Sequence, residues 1–325
     1  MRVLGRLDAY QRRHRWAGLP LAVVYKFVDD QGAYLTALIT YYGFVSLFPL
    51  LLLLVSGLGF ALQDDPGLQQ RVLDSALAQF PVIGDQIGTN IHSFHGSVLA
   101  LATGILGSLY GGLGVVQATQ NALNKMWGVP RNSRPNPVAA RLRSLALLIV
   151  GGGTILATTL LSAVTTTGGI LGAGARVVAI VVAIAVNVVL FTVAFRVLTA
   201  GRLTLAQVRA GAIAAALTWQ ILQWVGAFLL GHMLKGATAT YGMFGIVLGL
   251  LAWIYLGALT FVVGAEINVV RDQRLWPRSL LTPFTDNVEL TAGDRRAYTS
   301  YAETERHKGF QNVDVDFDPP PGRPD

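Results

Sequence analysis

The sequence predicts an all-α integral membrane protein with six transmembrane helices, and two observations lead to this fold class. Of the 325 residues, 53% are hydrophobic and only 13% are charged, whereas soluble domains carry roughly 25% charged residues. The charges also lie between long uncharged stretches, each able to supply the roughly 20 apolar residues of a membrane-crossing helix. These stretches are residues 31–63, 86–124, 144–175, 177–195, 210–234 and 236–265. They are continuous and rich in Gly, Ala, Leu and Val, unlike the alternating segments of a membrane β-barrel.

The N-terminal segment, residues 1–34, is basic and predicts a cytoplasmic amphipathic helix. Its apolar residues, including Leu7, Trp16 and Leu19, interleave with arginines. This pattern suits a helix that lies on the inner leaflet of the membrane. A basic, solvated tail is the alternative interpretation.

The transmembrane domain is expected to occupy residues 35–270, followed by a polar tail. The six predicted spans, called helices 1 to 6 in chain order, are residues 35–62, 98–127, 144–166, 177–198, 206–231 and 242–270. Pro49 lies in the middle of the first span and predicts a kink. The loop 63–96 contains apolar residues at helical spacing, which predicts an external loop with two short amphipathic helices. We expect the tail, residues 271–325, to be cytoplasmic and largely disordered because it is polar and ends in acidic and Pro-rich sequence.

The distribution of basic residues predicts the orientation. Twenty-two of the 25 Lys and Arg residues lie in the N-terminal segment, the second and fourth loops and the tail, and each other loop has one. Because cytoplasmic loops carry the excess of Lys and Arg, both termini are predicted to be cytoplasmic. The net charge of +7 therefore serves membrane insertion and contacts with lipid headgroups, and we expect no nucleic acid partner.

Helix 2 combines small residues in its outer part with amides in its inner part. Gly107 and Gly111 are four residues apart and predict a close helix–helix contact. The amides that follow recur at i, i+3, i+4 and i+7, so they share one face of the helix.

Polar residues of four helices fall in the predicted cytoplasmic half of the membrane. They are Tyr41 and Tyr42 of helix 1, Gln117, Gln120, Asn121 and Asn124 of helix 2, Arg196 of helix 4, and Glu266 and Asn268 of helix 6. Polar groups at such depths usually face the interior of the bundle or a wet cavity. Hydrogen bonding between helices together with interfacial snorkelling is the favoured interpretation, and a polar, solute-accessible cavity formed by these residues is the functional alternative.

Glu266 stands out as the only acidic residue that the sequence places close to a span. A structural ion pair with Arg196 or contacts with the helix 2 amides would give it a structural role, and this is the favoured interpretation. A substrate contact or a proton carrier is the functional alternative.

Enzymatic chemistry and bound cofactors are not expected. Cysteine is absent and there are five histidines. His92 and His95 have a spacing that could hold a metal, but no Cys is nearby and only Asp85 is close in sequence, so a solvated helix face is favoured. The predicted topology separates these two from His14 and His307, so the clustered acid, base or metal groups of a nuclease cannot assemble. No Walker A sequence is present, which disfavours ATP-driven pumping by this chain alone.

Five short motifs occur in order between residues 25 and 272 and together resemble the YihY/BrkB family of bacterial inner-membrane proteins. They are LITYY (38–42) with SLFPL (46–50), NALNKMW (121–127), YGMFG (241–245), WIY (253–255) and GAEIN (264–268). The resemblance implies a six-helix, multi-pass protein of the bacterial plasma membrane. The family carries the legacy name ribonuclease BN and is also described as a virulence or serum-resistance factor.

Two functions from different classes remain open. The favoured one is a secondary transporter or exporter of a solute or lipid with a role in the cell envelope. The alternative is a non-transporting membrane scaffold for envelope assembly. The expected partners are membrane lipids and a small solute or lipid substrate, and the sequence is compatible with a homo-oligomer.

The predicted topology can be tested with reporter fusions. A reporter joined after Gly128 should be cytoplasmic, and one joined after Pro81 should be external, because the basic loops remain inside. The measurement is reporter activity on each side of the membrane, and the opposite pattern would reverse the orientation.

Overall fold

The computed structural model describes residues 2–61, 67, 98–134, 173–232 and 234–318, and regular structure in these ranges is helical throughout. The α-helices are α1 (Arg2–Arg13), α2 (Arg15–Asp29), α3 (Gly32–Ala61), α4 (Val98–Met126), α5 (Ala173–Leu198), α6 (Leu205–His232), α7 (Leu234–Asp272) and α8 (Ala292–Thr304). The all-α class and the helices predicted around residues 35–62, 98–127, 177–198, 206–231 and 242–270 are therefore confirmed. The N-terminal segment forms two helices, α1 and α2, where one was expected.

Within the described ranges, three helices are long and apolar enough to cross a membrane. The qualifying stretches are Ile180–Leu198 in α5, Leu205–Gly226 in α6 and Val247–Asp272 in α7, and α3 contributes a shorter apolar stretch, Gly32–Leu47. The span predicted at 144–166 and the external loop at 63–96, with His92 and His95, lie outside the described residues. The number of six spans therefore stays a prediction.

Helix α7 occupies the centre of the described bundle. It packs against α6 on one side and against α3, α2 and α4 on others, while α3 and α4 pack along each other and α5 packs against α6. The core lies where these helices meet and includes Ala122, Phe195, Val262 and Val269, each without solvent exposure. The bundle therefore contains two tightly packed helix pairs, α3–α4 and α6–α7, and α7 also forms the contact between them.

Glycines let the backbones of α3 and α4 approach closely. A Cβ atom at Gly107 would lie 2.7 Å from the Pro49 Cβ, and one at Gly111 would lie 2.6 Å from the Ser46 Cα. This is the close contact that the four-residue spacing predicted. Because lipid tails are as apolar as leucine, such van der Waals packing is a main source of helix association in membranes.

A second close contact joins α6 to α7. A Cβ at Gly211 would collide with the carbonyl oxygen of Gly264, and it would lie 2.6 Å from the Asn268 amide nitrogen. The backbone N–H of Gly211 also donates to Asn268 Oδ1 at 2.6 Å. The small residues thus bring a polar side chain of α7 directly onto the backbone of α6.

Replacing Gly111 should destabilise the protein through overpacking. We expect Gly111→Leu to lower the free energy of unfolding by roughly 1–3 kcal/mol, because the added side chain must displace the backbone at Ser46. Thermal unfolding in detergent measures the effect. Ala102→Leu on the exposed surface of the same helix is the matched control, and equal stability of the two variants would contradict the close contact.

Candidate functional site

The amide face of α4 divides into residues with different roles. Asn124 is buried, and its Oδ1 accepts a hydrogen bond from the backbone N–H of Ala200 at 2.7 Å. Gln120 is buried, Gln117 is half-buried and Asn121 is exposed among the described residues. Asn124 therefore connects α4 to the end of α5, whereas Asn121 is available for other contacts.

The predicted tyrosines differ in exposure. Tyr41 is 60% exposed, and its ring meets that of Tyr42 at a centroid distance of 5.3 Å. Tyr42 is half-buried and its ring lies against Gly114 of α4. Tyr42 therefore belongs to the α3–α4 contact.

Arg196 and Asn268 bind backbone groups. Arg196 is exposed, and its Nε donates to the carbonyl of Leu203 at 2.8 Å. Asn268 is buried and accepts from Gly211, as described above. The predicted pairing of Arg196 with Glu266 is wrong, because the guanidinium instead holds the turn between α5 and α6.

Glu266 lies in a buried cluster of charges formed with α2. Its side chain on α7 has no solvent exposure, and Lys26 and Asp30 are each 1% exposed. The ammonium of Lys26 forms an ion pair with the Asp30 carboxylate, and the Asp30 and Glu266 carboxyls lie within hydrogen-bonding distance of each other. We call Lys26, Asp30 and Glu266 the junction cluster, because they meet where α2, α3 and α7 come together.

The hydrogen bonding of the junction cluster is incomplete. Among the described residues, no N–H or O–H group donates to either carboxyl oxygen of Glu266. Lys26 is bound on its other side by the ring of Tyr301, whose centroid lies 5.0 Å from Nζ. A buried acceptor without a donor is costly, so the Glu266 carboxyl is the least satisfied group of the cluster.

Burial also acts on Asp30. It raises the pKa of the Asp30 carboxyl above its ordinary value, and the positive charge of Lys26 opposes this shift only in part. Asp30 is therefore easier to protonate than a solvated aspartate, even though it is paired.

Sequence reasoning missed two of the three junction residues. Glu266 was taken as the only acidic residue close to a span, yet Asp30 lies two residues before the start of α3. Lys26 and Asp30 are four residues apart, so their pairing along one helix face was readable from spacing. Their contact with Glu266 was not readable, because it joins opposite ends of the chain.

A second ionic network fastens the tail to the N-terminal helices. Arg278 Nε donates to Asp294 Oδ1 at 2.6 Å, and Arg278 Nη2 donates to Asp29 Oδ2 at 3.0 Å. We call Arg278, Asp294 and Asp29 the tail clamp. Tyr301 joins it by donating its hydroxyl to the same Asp29 oxygen at 3.1 Å, so the tail clamp and the junction cluster share Tyr301.

The charges of the tail clamp reinforce one another. Burial disfavours the Arg278 cation, but the hydrogen bond to Asp294 and the charge of Asp29 outweigh it and raise the Arg278 pKa. Burial and the nearby charges of Asp30 and Asp29 raise the pKa of the Tyr301 hydroxyl, which therefore stays a donor. The Arg278 guanidinium is therefore ionised, and the Tyr301 hydroxyl that joins the clamp is neutral.

The tail was expected to be largely disordered, but the part of it that contains Leu280 and helix α8 is ordered. Helix α8 begins with a capping box in which Thr291 and Asp294 bind each other's backbone N–H. The main chain at Leu280 also accepts a hydrogen bond from the Tyr25 hydroxyl at 2.9 Å. The tail is ordered here because its polar groups find partners in α1 and α2.

A groove of about 220 Å³ runs between α6 and α7. Its lining is mostly apolar, with Leu222, Leu256 and Leu259 among the residues that form it, and Thr218 and Thr260 as the polar ones. Tyr42, Asn121 and Glu266 do not line it. Within the described ranges no group of side chains is arranged to hold a metal ion.

Fold and site together define an α-helical membrane protein with a buried ionic junction at one end of its bundle. The family model described as "Virulence factor BrkB" matches residues 23–285. The chain therefore belongs to the BrkB virulence factor family, as its motifs indicated. No curated protein and no solved structure matches the chain significantly.

Breaking the tail clamp should cost more stability than breaking an exposed pair. Arg278→Met leaves Asp294 buried without its cation, so we expect a loss of roughly 3–5 kcal/mol in the free energy of unfolding. Arg131→Met is the control, because Arg131 and Glu305 pair at the surface, where a pair contributes about 1 kcal/mol or less. Thermal unfolding in detergent compares them, and similar losses would contradict the role of the clamp.

Proposed function

We propose that this protein is a non-enzymatic secondary transporter or exporter of a small solute or lipid in the bacterial plasma membrane. The observation that carries the proposal is Glu266, which has no solvent exposure and no hydrogen-bond donor among the described residues. Ionisable groups within transmembrane helices are costly and usually mark a substrate or ion pathway. In this proposal the junction cluster lies at the cytoplasmic end of that pathway and both termini are cytoplasmic.

The hydrogen bonding of the junction cluster supports a functional role over a purely structural one. A structural carboxylate is normally held by several donors, and Asp294 accepts from Arg278, Ser279 and Thr291. Glu266 has the same burial without such donors. The contrast between Asp294 and Glu266 supports the proposal that Glu266 exchanges hydrogen-bond partners during function.

The packing of the bundle supports a rocking movement. The α3–α4 and α6–α7 pairs are each held by backbone contacts at glycines, so each pair can move as a rigid unit. Alternating access in secondary transporters arises largely from such movements of one group of helices against another around a fixed site. Glu266 on α7 and Asp30 before α3 lie where the two pairs meet.

Lipids are a reasonable substrate class alongside polar solutes. The α6–α7 groove is apolar and open at the surface of the spans, which suits an acyl chain. The exposed Asn121 supplies a polar group on a neighbouring helix.

A scaffold for envelope assembly is the competing function, and it requires no rocking movement of the helix pairs.

The proposal is tested by measuring flux and stability on the same variants in reconstituted vesicles. We expect Glu266→Gln and Asn121→Ala to reduce flux roughly tenfold, which corresponds to about 1.4 kcal/mol in the barrier, while thermal stability stays near that of wild type. Panels of labelled solutes and fluorescent lipids serve as substrates.

Asp272→Asn is the matched control, because Asp272 is an exposed carboxylate at the end of the same helix and bonds only to Gln207 among the described side chains. Its flux should equal that of wild type. Absence of flux in wild type across every solute and lipid would reject the transporter and leave the scaffold.

A further inference from the structure

The charges of the junction cluster do not balance when every group is ionised. Lys26 supplies one positive charge, whereas Asp30 and Glu266 supply two negative charges, and all three side chains are at most 1% exposed. The Lys26–Asp30 ion pair is neutral by itself. The second carboxylate therefore stays uncompensated in a region of low dielectric constant, where an isolated charge is highly unfavourable.

Other charged groups near the cluster are engaged elsewhere. On α2, Asp29 binds Arg278 and the Tyr301 hydroxyl. On α4, Lys125 acts on Asp30 only at longer range, and its Nζ donates to Gln31 Oε1 at the surface. None of these groups donates to Glu266 among the described residues.

Two carboxyls at hydrogen-bonding distance attract each other only when one of them carries a proton. In that state the O–H of one carboxyl donates to a carboxylate oxygen of the other, which supplies the donor that Glu266 lacks. The proton also makes the cluster neutral, with one carboxylate left opposite Lys26. A single proton therefore satisfies both the hydrogen bonding and the charge balance.

We propose that Asp30 and Glu266 form a proton-binding site, with Lys26 as its fixed counter-charge, and that protons are the coupling ion of this protein. The coupling part rests on the proposed transport function, whereas the proton site does not. Only an O–H bond is formed and broken, and the proton comes from and returns to water. The raised pKa of Asp30 that burial produces agrees with this site.

Loss of the proton changes the force between helices. Two carboxylates then face each other across the contact of α2 with α7, and like charges at this distance repel. Lys26 can neutralise one of them but not both. Deprotonation therefore favours separation of α7 from α2, and protonation favours their contact. Proton binding and release can in this way drive the movement of the helices.

Infrared titration of the full-length protein in lipid nanodiscs tests the site directly. Wild type should retain the carbonyl band of a protonated carboxyl at neutral pH, shifted in D₂O, and should lose it at high pH. Glu266→Gln and Asp30→Asn should each abolish this band at neutral pH. Asp272→Asn should keep it, because Asp272 lies at the exposed end of α7, outside the junction cluster.

The wild-type spectrum decides the proposal even if a variant fails to fold. Absence of a protonated carboxyl band in wild type at neutral pH overturns the proton site, and so does a band that persists unchanged in both folded variants. Its disappearance in either folded variant, with retention in Asp272→Asn, supports the site.

Vesicle flux with and without an imposed pH gradient separates the two proposals. Flux that responds to the gradient in wild type but not in Glu266→Gln supports proton coupling. Flux that ignores the gradient overturns the coupling while the transporter stands. A proton band without flux of any solute or lipid rejects the transporter, and with it the coupling, while the proton site stands.

Discussion

The unfavourable energy of burying charge determines how one end of this molecule is built. Lys26, Asp30, Glu266, Arg278 and Asp294 are each at most 1% exposed, and such groups persist in a low-dielectric interior only when other charges or donors meet them. The required partners come from α2, from the end of α7 and from the tail. These three parts of the chain therefore have to assemble together, and none of them can complete the ionic networks alone.

The small residues of the spans make this assembly geometrically possible. Gly211 and Gly264 bring α6 against α7, which places Asn268 on the backbone of α6. Asn268 is two residues from Glu266 on the same helix, so this contact also orients the turn that carries the glutamate. Close packing between helices thus positions the polar groups, and the polar groups in turn restrict which packing is tolerated.

The two ionic networks differ in a way that bears on function. In the tail clamp, the buried Asp294 accepts from a guanidinium, a hydroxyl and two backbone N–H groups, and the second carboxylate, Asp29, is partly exposed to solvent. In the junction cluster, the balance depends on a proton or on a change of partner. A buried carboxylate with several donors, such as Asp294, holds the tail in place, whereas a buried carboxyl without a donor, such as Glu266, can change its partner or its protonation state. Tyr301 connects them, because its ring lies on Lys26 and its hydroxyl binds Asp29.

The sequence alone determined the membrane character, the helical class, most of the helix positions and the family. These follow from local properties, namely the lengths of uncharged stretches, the four-residue spacing of Gly107 and Gly111, and short motifs in order. Only the tertiary structure decided the partners of Glu266 and the order of the tail around Arg278. Helical periodicity reports which residues share a face within one segment, whereas the junction cluster and the tail clamp join opposite ends of the chain. Their formation depends on which faces become buried against each other, and that is decided when the helices pack.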